Sequence, residues 1–142
     1  MERAQLMELT REFLDAFNRN DLDAVMCFFA DGSFYEEING KRSAGKTAIR
    51  AALTPQFQGA YGKMQFIYED IFADAETGKV MASWHCSLTV EGEPTSWRGL
   101  DILRFVGDKV VQKLTYAKAK MPMLTTNAVT AGRVSDVTPV NR

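Results

Sequence analysis

The sequence predicts an α+β fold. Two observations carry that expectation. Apolar residues recur at helical spacing through the first third of the chain, and from Lys63 onward they run in strand-like stretches between short turns. Helices first, then a run of strands, is the order of a fold whose helices pack on one face of an antiparallel sheet. The chain has 142 residues, which suits one domain with a real core and is too short for two.

The elements follow in order. Leu6, Leu9, Phe13 and Phe17 mark one face of an amphipathic helix that stops near Asn18-Arg19-Asn20. Asp21 is a good N-cap for a short second helix carrying Leu22, Val25, Met26 and Phe29, and Ala30-Asp31-Gly32 should break it. Ser33 to Ile38 reads as a strand, and Asn39-Gly40 is a tight-turn signal. A third helix is expected from about Thr47 through Leu53, with Pro55 ending or bending it. Strands follow from Met64 to about Phe72, Val80 to Val90, Ser96 to Val106 and Lys109 to Lys118. Short turns join the last three into an antiparallel meander. The domain is expected over residues 1–121, leaving 122–142 as a C-terminal tail or interface arm.

Composition excludes several functions. Hydrophobic residues make up 46% and charged residues 25%, so the chain can build a core and is not expected to be disordered. The net charge is −1, which gives no footprint for nucleic acid and no basic patch for an acidic membrane. Cys27 and Cys86 belong to no CxxC pair, so zinc and redox motifs are not expected. No apolar run reaches a membrane span, and Met1-Glu2-Arg3-Ala4-Gln5 lacks the apolar core of a signal peptide. Cytoplasmic residence is the expectation.

One motif misleads. Gly40 to Thr47 matches the phosphate-binding pattern GxxxxGK[ST] in full. Its preceding strand, however, carries Glu36 and Glu37, where a buried parallel strand should be continuously apolar. The later meander also lacks β-α alternation. The stretch is therefore read as a basic hairpin loop leading into a helix capped near Ala44-Gly45.

At this point the chain resembles a family. Asn18 to Asp23 looks like the inter-helix turn of the nuclear transport factor 2-like fold in its steroid Δ-isomerase and SnoaL-like polyketide cyclase branch. Phe29-Ala30-Asp31-Gly32, Arg42 to Arg50 and Leu100-Asp101-Ile102-Leu103-Arg104-Phe105 are similar to three further motifs of that branch. The resemblance implies a cone-shaped α+β barrel with N-terminal helices on a curved antiparallel sheet. It also implies a homodimer through the convex face, and a pocket between helices and sheet. It implies acid–base chemistry on a hydrophobic cyclic carbonyl compound, as an isomerase or cyclase, without metal or organic cofactor.

Carried over by residue, the resemblance puts the proton-shuttling base at Glu37 and the hydrogen-bonding acid at Asp101. The family's tyrosine position falls on Phe13, which has no hydroxyl. That counts against true steroid isomerisation, since one oxyanion donor can be worth roughly 3–4 kcal/mol. Strand alternation from an inward Asp101 turns Trp97, Gly99 and Leu103 inward, and similar parity, anchored on the family resemblance, does so for Trp84, Cys86 and Leu88 from the neighbouring strand and for Lys113 and Thr115 from the last. Phe13, Phe17, Trp84, Cys86, Trp97, Lys113 and Thr115 are thus the substrate-binding candidates. Asp101 could instead be locked in a buried pair with Lys113, and Glu37 could be a solvated charge. A non-catalytic binding or dimerisation module is the alternative function. A slip of one residue would bring His85 inside and favour a dehydratase.

Overall fold

The computed structural model describes residues 1–118. The C-terminal stretch 122–142, expected as a tail or arm, lies outside the described residues.

Helix α1 spans Arg3–Asn18 and buries Leu6, Thr10, Phe13, Leu14, Ala16 and Phe17, the stripe its periodicity predicts. Its last residue ties it to the sheet. The Asn18 side chain donates to the Phe66 carbonyl and accepts from the Phe66 N–H, each at 2.8 Å, in place of a neighbouring strand. Helix α2, Leu22–Phe28, starts where Asp21 accepts from the Ala24 N–H at 3.0 Å, as the capping signal requires.

The helix ends at Phe28, just ahead of the break expected at Ala30-Asp31-Gly32, so Phe29, expected on the helix, is already in the sheet. Strand β1 begins at once, over Phe29–Glu36. Gly32, at φ 75°, sits in a register irregularity between Phe29 and Phe34. Only a residue tolerant of positive φ can turn the chain there without leaving the sheet. Strand β2, Arg42–Ala44, folds back antiparallel on β1, pairing Tyr35 with Ser43. The phosphate-loop look-alike is therefore a turn, an edge strand and a helix start. The Gly45 N–H donates to the Ser33 carbonyl at 2.7 Å. Helix α3, Lys46–Phe57, continues only two residues past Pro55, whose missing N–H leaves the Ala51 carbonyl without its helical donor.

Strands β3 (Gln65–Asp74), β4 (Lys79–Val90), β5 (Glu93–Val106) and β6 (Lys109–Lys118) complete one six-stranded sheet of order β2-β1-β6-β5-β4-β3. Two expectations need correction. The sheet is mixed, because β1 runs parallel to β6. It is also open: β2 and β3 are its free edges, so the curved sheet does not close into a barrel. The β3–β4 turn needs a glycine, since a Cβ at Gly78 would collide with the Phe105 carbonyl while the Gly78 carbonyl accepts from the Phe105 N–H at 2.8 Å.

The core lies between the helices and the concave face. Leu6, Phe13, Leu14, Val25, Met26, Ile49 and Leu53 meet Val80, Ala82, Leu103, Phe105 and Val110 of the sheet. Each of these side chains larger than alanine contributes about 1.5–3 kcal/mol by leaving water. A second cluster of Trp84, Cys86 and Leu88 continues along β4 toward the cavity. Among the described residues no helix is long and apolar enough to cross a membrane.

Candidate functional site

Beyond the packed core the same concave face opens into a cavity of about 760 Å³. Its walls come from α1 (Leu14, Phe17), the β1 end (Tyr35, Glu37), the α3 side (Leu53, Tyr61) and the sheet (Phe66, Trp84, Trp97). Asp101, Lys113 and Thr115 are also in the lining. The hollow is mostly apolar with a few polar groups, as small-molecule sites are.

Strand register explains the convergence. Asp101 stands opposite Thr115 on β6, and Ala82 opposite Asp101 on β4. Trp84 is opposite Gly99 and Cys86 opposite Trp97. Alternation therefore turns Trp84, Cys86, Trp97, Asp101, Lys113 and Thr115 to one face. His85 lies on the other, opposite Arg98, which removes the dehydratase arrangement that required it inside.

The polar end of the cavity is one hydrogen-bonded cluster. Lys113 Nζ lies 3.1 Å from Asp101 Oδ1, with both side chains buried. The Thr115 hydroxyl donates to the same Oδ1 at 2.7 Å and accepts from Lys113 Nζ at 2.8 Å. Trp84 Nε1–H donates to Asp101 Oδ2 at 3.0 Å. Three donors thus converge on Asp101. The group is placed to accept as a carboxylate rather than donate as an acid, which corrects the hydrogen-bonding-acid role expected of it. Burial acts to lower the Lys113 pKa, but the Asp101 carboxylate, with Tyr35 and Glu37, outweighs it and the net direction is up.

Glycine 99 makes this possible. A Cβ there would run into the Trp84 indole and the Tyr116 carbonyl. Gly99→Ala should therefore push the indole off Asp101 and cost roughly 1–3 kcal/mol, the range for overpacking. Urea unfolding checks this, and an unchanged midpoint would mean the indole has room to move.

Glu37 follows β1, is half-buried and lines the cavity with Tyr35. Glu36 faces the other way and pairs with Arg42 at 3.1 Å. Two of the substrate-binding candidates lie elsewhere. Phe13 is fully buried, with Phe17, Phe28 and Phe29 against it at ring distances of 5.2, 5.4 and 5.6 Å, so it is a core residue outside the lining. Cys86 is buried behind the lining, and burial pushes its thiol up to about 11, which leaves it a poor nucleophile. Phe17, Trp84, Trp97, Lys113 and Thr115 do line the cavity.

Sequence reasoning missed Tyr35. Its ring centroid lies 4.6 Å from Lys113 Nζ, within cation–π range. Burial, foremost, raises its phenol pKa against the lowering pull of Lys113, so the hydroxyl stays protonated and able to donate. The available signal was its position two residues before Glu37, on the same strand face. The Tyr68 hydroxyl is buried without a hydrogen-bond partner among the described residues, and it lies outside the lining. Burial, then the Asp15 and Asp101 carboxylates, hold its phenol well above the ordinary value.

Comparison with known proteins agrees with this architecture. A family model described as a SnoaL-like domain matches residues 10–113. A candidate polyketide cyclase from Xanthomonas campestris pv. campestris is 20% identical, with a TM-score of 0.70 over 82% of this chain and 92% of that one. An NTF2-like protein of unknown function from Mesorhizobium loti is 22% identical, with a TM-score of 0.67 over 82% and 93%. A candidate hydroxylase from Streptomyces galilaeus is 18% identical, with a TM-score of 0.69 over 82% and 91%. At such identities the likeness is one of fold. No curated protein matches the chain significantly.

Proposed function

The chain belongs to the SnoaL-like domain family, and from that premise we propose that it is a small-molecule enzyme performing cofactor-independent acid–base chemistry on a hydrophobic cyclic carbonyl substrate. The observation that carries this reading is that Glu37 and the Asp101–Lys113–Thr115 cluster line one open apolar cavity. Glu37 takes a proton from the carbon next to the carbonyl. The C–H electron pair moves into an enolate whose oxygen rests at the polar end. The proton then returns to another carbon of the conjugated system, giving an isomer, or the enolate carbon attacks a second carbonyl, whose π pair moves to its oxygen and takes the proton back from Glu37, giving a hydroxylated ring. Trp84 and Trp97 supply flat apolar walls.

One observation favours a second reading. Asp101 is locked to Lys113, which a non-catalytic ligand-binding module tolerates equally well. A thermal-shift screen with steroids, polyketide intermediates and other cyclic ketones finds ligands for either. Turnover of a hit that depends on Glu37 supports the enzyme, and tight binding with no turnover supports the module.

The reading also includes a homodimer through the convex face. Ile67 and Phe72 are each 64% exposed there and Tyr116 49%, beside a groove floored by Leu100 and Ile102. Arg98 on that face pairs with Glu69 of its own chain at 2.9 Å. Light scattering should give the mass of two chains, and Ile67→Glu should halve it. A wild-type monomer at micromolar concentration removes the dimer.

A further inference from the structure

The Lys113 ammonium has three N–H donors. One goes to Asp101 Oδ1 and one to the Thr115 hydroxyl. The third finds no hydrogen-bond acceptor among the described residues, only the ring faces of Tyr35 and Phe17 at 4.6 and 5.4 Å. Lys113 is itself 5% exposed and lines the cavity. Asp101, by contrast, has both oxygens engaged by three donors. What the cluster leaves unused toward a ligand is therefore a donor on a cation.

We propose that Lys113 Nζ is the oxyanion-binding group of this cavity, and that the preferred ligand is a flat ring compound carrying a single-oxygen anion, an enolate or phenolate. Asp101 and Thr115 are positioning residues that hold the ammonium in place. This rests on the reading of Glu37 as base, and it fits the charge balance of that step. Before proton transfer the charge sits on Glu37, at the cavity wall. Afterwards Glu37 is neutral and the charge sits on the substrate oxygen, close to the ammonium. The pull of Lys113 is thus greatest in the state that needs it. One free N–H suits one oxygen better than the two of a carboxylate.

Facing the ammonium are Asp101 from β5, Tyr35 from β1, and Glu37 just beyond β1. The Asp101 charge offsets much of the cation, and Glu37 repels an anionic ligand while ionised. Glu37→Gln copies the neutral state of Glu37, so that variant is the best host for the test.

The probe is 4-nitrophenol, whose phenolate absorbs visible light and whose phenol does not. Its binding is titrated optically, the released proton going to buffer. In Glu37→Gln the phenolate should bind at least tenfold more tightly than the phenol, and more tightly than 4-nitrobenzoate. The wild type should show a smaller preference of the same sign. Adding Asp101→Asn and Lys113→Met together removes both charges without stranding either, and should abolish the preference. 4-Nitroanisole, which cannot ionise, should bind both hosts alike and so report an intact cavity. Binding as the neutral phenol, preference for the benzoate, a preference that survives loss of Lys113, or no binding at millimolar probe would each overturn the proposal. The titration reads binding alone. A protein that prefers phenolate but turns over no ketone sinks the enzyme reading and spares this one. Glu37-dependent turnover without phenolate preference does the reverse.

Discussion

Replacing Lys113 by methionine should lower the unfolding free energy by about 3–5 kcal/mol, because it leaves the Asp101 carboxylate buried beside a thioether. For a chain of this size that is roughly 10–15 °C in Tm. The paired variant Asp101→Asn/Lys113→Met should recover most of the loss, since a neutral amide in the same pocket can accept from the Trp84 N–H through its oxygen and donate its NH2 to the Thr115 hydroxyl. Calorimetry on the single and paired variants reads both. Equal destabilisation of the two would show that shape, not charge, holds this end of the cavity. The pH dependence has a definite sign. Below the ordinary lysine value of 10.5, folded and unfolded chains both hold the Lys113 proton. Above it the unfolded chain releases the proton while the fold retains it. Rising pH therefore favours unfolding, and the advantage of wild type over the paired variant should be flat through neutrality and shrink only above about pH 10.5. An advantage that already falls between pH 6 and 9 would contradict the direction assigned to Lys113.

Glu37→Gln should reduce kcat on any ketone substrate by about 10²–10⁴-fold, the usual contribution of a positioned general base. Substrate affinity and Tm should change little. Glu37 is half-buried at the cavity wall, so the amide fits without stranding a charge. The measurement is steady-state kinetics beside a melting curve. A fall in kcat with KM held separates a base from a binding contact. If kcat persists in Glu37→Gln, proton abstraction lies elsewhere, and Tyr35, Tyr61, Glu91 and the Asp101 cluster are the other titratable groups in the lining.

The two site predictions differ in how legible their residues were. Asp101 and Lys113 share a face because alternation along a strand has period two. Parity across the hairpin would not suffice: the pairs next to its turn, Val106 with Lys109 and Phe105 with Val110, continued unbroken would set Asp101 against Leu114 and turn Lys113 away, and the register shift between Arg104 and Phe105 is what brings the two side chains to one surface. Whether they touch depends on register, and Leu103, not Asp101, is the direct cross-strand neighbour of Lys113. The 3.1 Å contact is diagonal, reached by a long side chain. Tyr35 was harder to see. Its partner strand is β6, more than seventy residues on and parallel to it, and a hairpin-by-hairpin reading offers no route to a parallel pair. Phe13 shows the opposite error. Helical periodicity placed it correctly on the buried face, but that face is wider than the cavity. Phe28 and Phe29 close around it, leaving Phe17, one turn further on, to reach the ligand space.

Local patterns settle what depends on neighbours a few positions apart: where helices start, which side chains share a face along a regular strand, and that the phosphate-loop pattern between Gly40 and Thr47 follows the wrong kind of strand. They say nothing about contacts made across the sheet by closing long loops. The open edges at β2 and β3, the parallel β1–β6 seam and the three donors gathered on Asp101 all arise that way. Their energies come from packing and desolvation between segments far apart in the chain, which no window of sequence contains.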